Sequence, residues 1–245
     1  MIKREYLLPN FITLLSLFSG FYSIIASING NFVLAAYAII FAFVFDGLDG
    51  KVARMLHATS EFGIQMDSLS DLVAFGLAPA LLIYKWVLTP YGRVGWMASF
   101  LFVACGALRL ARFNVMTKKI DNRYFIGLPI PAAAGVIASS VLFVKEVFGK
   151  PEGISIPLSF VLFIYLLAFL MVSNVKYYSF KKLELHGIKP FSLLVGFALF
   201  IFVIGMYPEI FLFVFFIGYT FSGLLLQLLK FLKYRALEVK EGRAD

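Results

Sequence analysis

The sequence predicts an all-α integral membrane protein, a polytopic helix bundle of about eight transmembrane helices with both termini cytoplasmic. Three observations carry that prediction. The composition is too apolar for a soluble domain: of 245 residues, 61% are hydrophobic, 18% aromatic and only 15% charged, with a mean hydropathy of +0.91. Soluble domains lie nearer half apolar and a quarter charged. The excess gathers into eight runs about as long as a bilayer is thick, roughly 20 residues each. The basic residues, finally, fall on alternate sides of those runs in very unequal numbers.

The runs are Leu8 to Ile28, Phe32 to Leu56, Phe62 to Val87, Val94 to Val115, Leu128 to Phe148, Ile154 to Asn174, Phe191 to Met206 and Ile210 to Leu232, the last two separated by a tight turn at Pro208. With the N-terminus inside, cytoplasmic segments hold 18 of the 22 Lys and Arg residues, leaving only Lys85, Arg93, Lys145 and Lys150 outside. That bias is the positive-inside rule, and it fixes the orientation for an even number of spans. The first run starts within a few residues of Met1 and has no small-residue cleavage site after it, so it reads as a retained helix. Most of the net charge of +8 is this topology signal. No soluble domain with a basic face is left over for nucleic acid, and attraction to anionic headgroups is unspecific. The one cysteine, Cys105, excludes internal disulfides and Cys-clustered metal sites and reads as a small core residue. No linker or repeat divides the chain, so residues 1–245 form one domain. Three cytoplasmic loops, His57 to Glu61, Met116 to Ile126 and Lys176 to Lys189, flank the charged helix ends. The tail after Tyr234 reads as a solvated charged stub.

The stretch Phe45 to Leu72, FDGLDGKVARMLHATSEFGIQMDSLSDL, stands apart, since four of the chain's six aspartates lie in it. Asp46, Asp49, Gly50, Ala53 and Arg54 fall at i, i+3, i+4, i+7 and i+8, one stripe of a helix. Gly63, Asp67 and Asp71 fall at i, i+4 and i+8 of the next. Two helices joined by a short loop lie antiparallel, so the four carboxylates can converge near the cytoplasmic face. A carboxylate in the hydrocarbon region costs about 2.5 to 3.5 kcal/mol on insertion scales, and four together repel unless a cation sits among them. Oxygen-only ligands select hard divalent ions, Mg2+, Mn2+ or Ca2+. Gly50 and Gly63 clear room for a ligand beside the helix backbones, although close helix packing uses glycine equally well. Carboxylates, a hard metal and free space are the parts expected for phosphoryl chemistry.

Asp46, Asp49, Gly50, Ala53, Arg54, Gly63, Asp67 and Asp71 also match, without a gap, the pattern D-x-x-D-G-x-x-A-R, eight residues, G-x-x-x-D-x-x-x-D, and on it the chain resembles the CDP-alcohol phosphatidyltransferases. The resemblance implies a membrane enzyme that moves a phosphatidyl group from a CDP-lipid to an alcohol and releases CMP. It implies Asp46, Asp49, Asp67 and Asp71 as ligands of one or two divalent ions, with Asp71 also the general base. It places Gly50, Ala53 and Gly63, with Arg54 beside them, at the CMP, and it implies a homodimer. Direct in-line attack by the alcohol is the expectation, and a covalent phosphatidyl-enzyme stays open.

Further stretches concern the acceptor. LPNFITLLSLFSG at Leu8 to Gly20, LRLARFNV at Leu108 to Val115 and FIGLPIPAAAG at Phe125 to Gly135 resemble the membrane-embedded phosphatidylserine synthase branch of that family. The resemblance therefore covers a motif core of about residues 8–135, and the helices of about residues 154–232 carry no assigned motif. It implies CDP-diacylglycerol and L-serine as substrates. Serine brings a carboxylate that needs a cation, and Arg109 and Arg112, at i and i+3, can offer a fork to it, with Asn114 for the ammonium or hydroxyl. The same arginines also read as a positive-inside cluster or as contacts to the lipid phosphate. Asn10 and Thr13 are candidates for cytosine or phosphate contact, against ordinary capping and packing. Pro129 and Pro131 are expected in a first helical turn. His57 and His186 read as solvated loop residues, and Tyr84, Trp86, Tyr91 and Trp96 as interfacial aromatics. The rival readings are a sister enzyme using glycerol phosphate, inositol phosphate or another alcohol, and a cation-coupled transporter. The last would want midplane carboxylates on inverted repeats, and here they crowd one end.

Overall fold

A computed structural model of the chain describes residues 6–56, 58, 60–116, 124–149, 151, 158–178 and 205–241. The helices follow the apolar runs closely. They are α1 (Leu7–Ile28), α2 (Phe32–Met55), α3 (Glu61–Asp71), α4 (Ala78–Ile83), α5 (Gly92–Met116), α6 (Ile130–Phe148), α7 (Leu158–Val172) and α8 (Pro208–Glu241). Two π-helical segments, Leu72–Leu77 and Tyr84–Leu88, join α3 to α4 and extend α4, and a 3-10 turn at Thr89–Tyr91 ends the run. Among the described residues, five helical stretches are long and apolar enough to cross a membrane, one of them being the whole of Glu61–Val115. Within that stretch the chain doubles back at Gly92 (φ +53°), so that α5 packs against the π segment and α4 that precede it. The 15 residues of α7 are apolar but shorter. The predicted seventh run lies outside the described residues except for its last two, as do His57, His186 and residues 117–123 and 179–200.

The helices are built inside out relative to a soluble bundle. On α1 the buried stripe is Pro9, Thr13, Ser16, Gly20, Ser23 and Ser27, while Leu7, Phe11, Leu14, Phe18, Phe21 and Ile25 face outward. Lipid tails are as apolar as leucine, so helices there gain from close approach and not from hiding apolar surface. Small residues supply that approach. A Cβ on Gly20 would stand 2.5 Å from the Ala74 Cα, which puts α1 directly on the π segment after α3. Gly20→Ala is therefore expected to cost about 1 to 3 kcal/mol as overpacking. A thermal unfolding curve in detergent that matched wild type would contradict that contact.

The core proper is formed by the π segment after α3 and by α4, α5, α6 and α7, with Phe75, Leu82, Phe102, Ile137 and Ile164 fully buried. Cys105 is buried there as well. Pro129 stands at the start of α6 and Pro131 in its first turn, where a missing N–H costs nothing. Pro208 likewise opens α8. Trp86 departs from the interfacial expectation: it is 9% exposed, packs on Phe160, and its indole N–H donates to the Pro151 carbonyl at 2.8 Å. The last helix also runs past the expected end, to Glu241, because Arg235 to Glu241 holds strong helix formers and neither Gly nor Pro.

One element has no forerunner in the sequence reading. β1 (Tyr124–Ile126) pairs antiparallel with β2 (Lys176–Tyr178), in the register Tyr124 to Tyr178, Phe125 to Tyr177 and Ile126 to Lys176. This ribbon ties the segment before α6 to the segment after α7. Gly127 (φ +77°) follows β1, and a Cβ there would collide with the Met171 carbonyl and stand 2.8 Å from an Arg112 nitrogen.

Candidate active site

The acidic residues arrive on facing helices because α2 and α3 are joined by only five residues. Ser60 caps α3, its hydroxyl accepting from the Gly63 N–H at 3.0 Å, and so sets the direction in which α3 leaves that turn. Asp46, Asp49 and Asp67 then each offer an oxygen within 4.8 Å of the others. Two full negative charges at that separation repel by roughly 3 kcal/mol even at an effective dielectric of about 20. Asp71 extends the cluster, its carboxyl within hydrogen-bonding contact of Asp46. Thr13 reaches across from α1: its hydroxyl donates to Asp49 Oδ2 at 2.8 Å, the shorter of its two contacts, the other being the Pro9 carbonyl at 3.1 Å. Ser70, the residue before Asp71, donates to the Thr13 carbonyl at 3.2 Å. Three helices are thereby pinned around one acidic spot.

Beside the cluster opens a cavity of about 160 Å³, lined by Asn10 and Thr13 from α1, Asp49, Gly50, Ala53 and Arg54 from α2, and Ser60, Gly63 and Asp67 around the start of α3. The glycines act by leaving space. A Cβ on Gly63 would stand 3.2 Å from Ser60 Oγ and 3.6 Å from Asn10 Oδ1, and one on Gly50 would stand 3.6 Å from an Arg54 nitrogen. Side chains at either position would fill the cavity from its walls. That lining contains all six residues expected from sequence beside the aspartates, Asn10, Thr13, Gly50, Ala53, Arg54 and Gly63, together with Asp49 and Asp67, while Asp46 and Asp71 are not part of it.

The three residues expected at the acceptor separate. Arg109 is 7% exposed, continues the buried stripe of Phe102, Cys105 and Gly106 on α5, and interacts electrostatically with Asp71. Its Nε has no hydrogen-bond partner among the described residues. A buried cationic donor left unmade is expensive. Arg112, one turn on, is spent on the backbone: its guanidinium donates to the carbonyls of Ile126, Val172 and Ser173 at 2.9 to 3.2 Å, with Met171 at 3.4 Å. Asn114 donates to Ser68 Oγ at 2.9 Å and so links α5 to α3. Sequence reasoning missed Ser60, whose position before Glu61 is an N-cap signal, and Pro9 and Ala58 in the cavity wall.

Residues 6–172 match the model of the CDP-alcohol phosphatidyltransferase family. The chain belongs to that family. Among similar proteins, a CDP-diacylglycerol–serine O-phosphatidyltransferase from Helicobacter pylori is 45% identical over 202 residues, covering 82% of this chain and 84% of that protein. An archaetidylserine synthase from Methanothermobacter thermautotrophicus is 39% identical, over 69% of each chain. A CDP-diacylglycerol–serine O-phosphatidyltransferase from Methanocaldococcus jannaschii is 33% identical, over 72% of this chain and 76% of its own. The family region of a CDP-alcohol phosphatidyltransferase thus takes in α1 to α7, and α8 lies beyond it.

Proposed function

We propose that this protein transfers a phosphatidyl group from CDP-diacylglycerol to the hydroxyl of L-serine, giving phosphatidylserine and CMP. The observation that carries the reading is a chain of adjacent groups. Asp49 and Asp67 line the cavity and cluster with Asp46, Asp71 is in contact with Asp46, and Arg109, whose Nε has no hydrogen-bond partner among the described residues, interacts electrostatically with Asp71. Those groups suit, in turn, CMP, the diphosphate, the attacking hydroxyl and the serine carboxylate. The serine-specific names of the relatives support the same acceptor.

The donor set fits a hard divalent cation, since every converging group is a carboxylate oxygen and the like charges need a counter-charge. Asp46, Asp49 and Asp67 would hold it, with Asp71 at its edge. When bound, such an ion, Mg2+ or Mn2+, neutralises diphosphate oxygens as charge builds on the departing CMP. Asn10, Thr13 and Arg54 bind and orient the nucleotide from the cavity wall. Asp71 accepts the proton of the serine hydroxyl as its oxygen bonds to the lipid-side phosphorus and the bond from that phosphorus to CMP breaks. Arg109 orients the acceptor by its carboxylate.

The test is CMP release by purified protein with CDP-diacylglycerol, Mn2+ or Mg2+ and a panel of alcohols. Serine-dependent CMP is expected. No more product with serine than with buffer, while glycerol phosphate or inositol phosphate gives product, overturns the acceptor, and no CMP with any alcohol favours a transporter. The archaetidylserine synthase among the relatives favours a second reading of the lipid, and an ether-linked CDP-lipid in the same assay discriminates it.

The site is proposed to face the cytoplasm in an eight-helix arrangement with both termini inside. In a Cys105→Ala background, Arg93→Cys, at the exposed start of α5, should react with a membrane-impermeant thiol reagent in intact cells, and Lys51→Cys should react only after lysis. The reverse pattern would invert the topology.

A further inference from the structure

A serine inside a helix commonly turns its hydroxyl back onto the carbonyl four residues earlier. Ser19 does so to Leu15, Ser27 to Ser23 and Ser68 to Ile64. Ser70 does not. It is 2% exposed, and its hydroxyl crosses from α3 to the Thr13 carbonyl of α1 at 3.2 Å.

Thr13 is thereby held at both ends. Its carbonyl accepts from Ser70 of α3, and its side chain donates to Asp49 Oδ2 of α2 at 2.8 Å. That hydroxyl has one proton and a second acceptor in reach, the Pro9 carbonyl at 3.1 Å. Pro9 lies on the same helix and stays in reach wherever α1 stands. Asp49 is in reach only while the first two turns of α1 lie against α2. Deeper in, Ser16 ties α1 to α2 by donating to the Ala42 carbonyl at 3.1 Å. Toward the start of the helix the hold is weaker, since Tyr6 at its N-cap makes no side-chain capping bond among the described residues. The residues that meet the neighbouring helices, Pro9, Thr13, Ser16 and Gly20, are small, so they bring backbones close without interlocking long side chains. Ser70 pins this end at Thr13 itself, and so biases the threonine proton toward Asp49 over the carbonyl of its own helix.

We propose that Ser70 is a positioning residue for the cation site: by holding the start of α1 through the Thr13 carbonyl, it keeps the Thr13 hydroxyl on Asp49 and so orients that carboxylate within the acidic trio. The inference rests on the reading of Asp46, Asp49 and Asp67 as the groups that hold a divalent ion. Ser70 does not line the cavity. It stands one bond further out than Thr13, whose hydroxyl is the kind of partner that orients a ligating carboxylate.

The probe is Mn2+ alone. Its affinity for the full-length protein in detergent is read from the rise in melting temperature as Mn2+ is added without nucleotide, and the metal-free melting temperature reports folding. Ser70→Ala should weaken Mn2+ binding about 3- to 10-fold, the scale of one net hydrogen bond. Thr13→Val should weaken it at least as much. The double variant should lie within about twofold of Thr13→Val alone, since the serine acts through the threonine. Tyr177→Phe removes a buried hydroxyl bond of the same 3.2 Å length, to the Thr220 carbonyl, between β2 and α8. It should lower the metal-free melting temperature and leave Mn2+ affinity within about twofold of wild type. Wild-type Mn2+ affinity in Ser70→Ala, with Thr13→Val weakened, overturns the role of Ser70 alone. So does a double variant in which the two losses multiply, because the serine then acts by another route. Weakening in Tyr177→Phe equal to that in Ser70→Ala makes the effect general loosening and overturns it as well. No stabilisation of wild type by Mn2+ overturns the reading beneath it.

Discussion

Asp71→Asn is expected to lower turnover by two to four orders of magnitude while the KM for CDP-diacylglycerol stays within a few-fold of wild type. The amide keeps the size of the side chain and one oxygen able to face a cation, but it cannot accept the hydroxyl proton, and a positioned base contributes typically 10² to 10⁴ in rate. Position argues for this role over that of a simple ligand. Asp46, Asp49 and Asp67 bring oxygens within 4.8 Å of one another, whereas Asp71 contacts Asp46, interacts with Arg109 and does not line the cavity. Asparagine also removes one negative charge from a crowded cluster, so the variant should be no less stable than wild type without metal. Turnover above about a tenth of wild type would argue against a base here, because it falls below the usual effect of removing one.

The acidic cluster and the cavity beside it were legible from sequence because helical periodicity is a local property. Asp46, Asp49, Gly50, Ala53 and Arg54 need only their spacing to share a face, and the five-residue connection to α3 supplies the rest. Asn10 and Thr13 were legible only as polar residues near the right membrane face; that Thr13 reaches Asp49, 36 residues away, is tertiary. The arginines of α5 were less legible. Arg109 and Arg112 look alike at i and i+3, yet one is buried beside Asp71 and the other caps carbonyls about 60 residues further on, a difference set by where α7 ends. The π segment after Asp71 has no sequence marker. It adds a residue to the turn and so rotates the face that follows, which lets Asp71 belong to the polar stripe while Ala74, Phe75 and Ala78 enter the core. The three-residue strands are too short for a period of two to declare itself.

Asp49→Ala is expected to weaken cation and nucleotide binding together, and the coupling is the diagnostic feature. Asp49 touches both functions: its side chain belongs to the acidic trio, and it lines the cavity while accepting the Thr13 hydroxyl. Groups that merely orient a metal ligand are worth about 10- to 100-fold in affinity, so loss of a ligand should cost at least that in the Mn2+ concentration needed for half-maximal CMP binding. Stability separates this from a collapsed site. At 5% exposure among like charges, the Asp49 carboxylate opposes folding when no cation is present, so the alanine variant should melt in detergent at or above the wild-type temperature without metal. Added Mn2+ should raise the melting temperature of wild type by mass action on the folded state and raise that of the variant much less. Thr13→Val, which removes the hydroxyl that holds Asp49 but leaves the carboxylate, should lower CMP affinity and raise the metal requirement by less than Asp49→Ala does. CMP affinity equal to wild type in Asp49→Ala, at saturating and limiting metal alike, would remove Asp49 from the ligand set and leave Asp46 and Asp67 to hold the ion with Asp71.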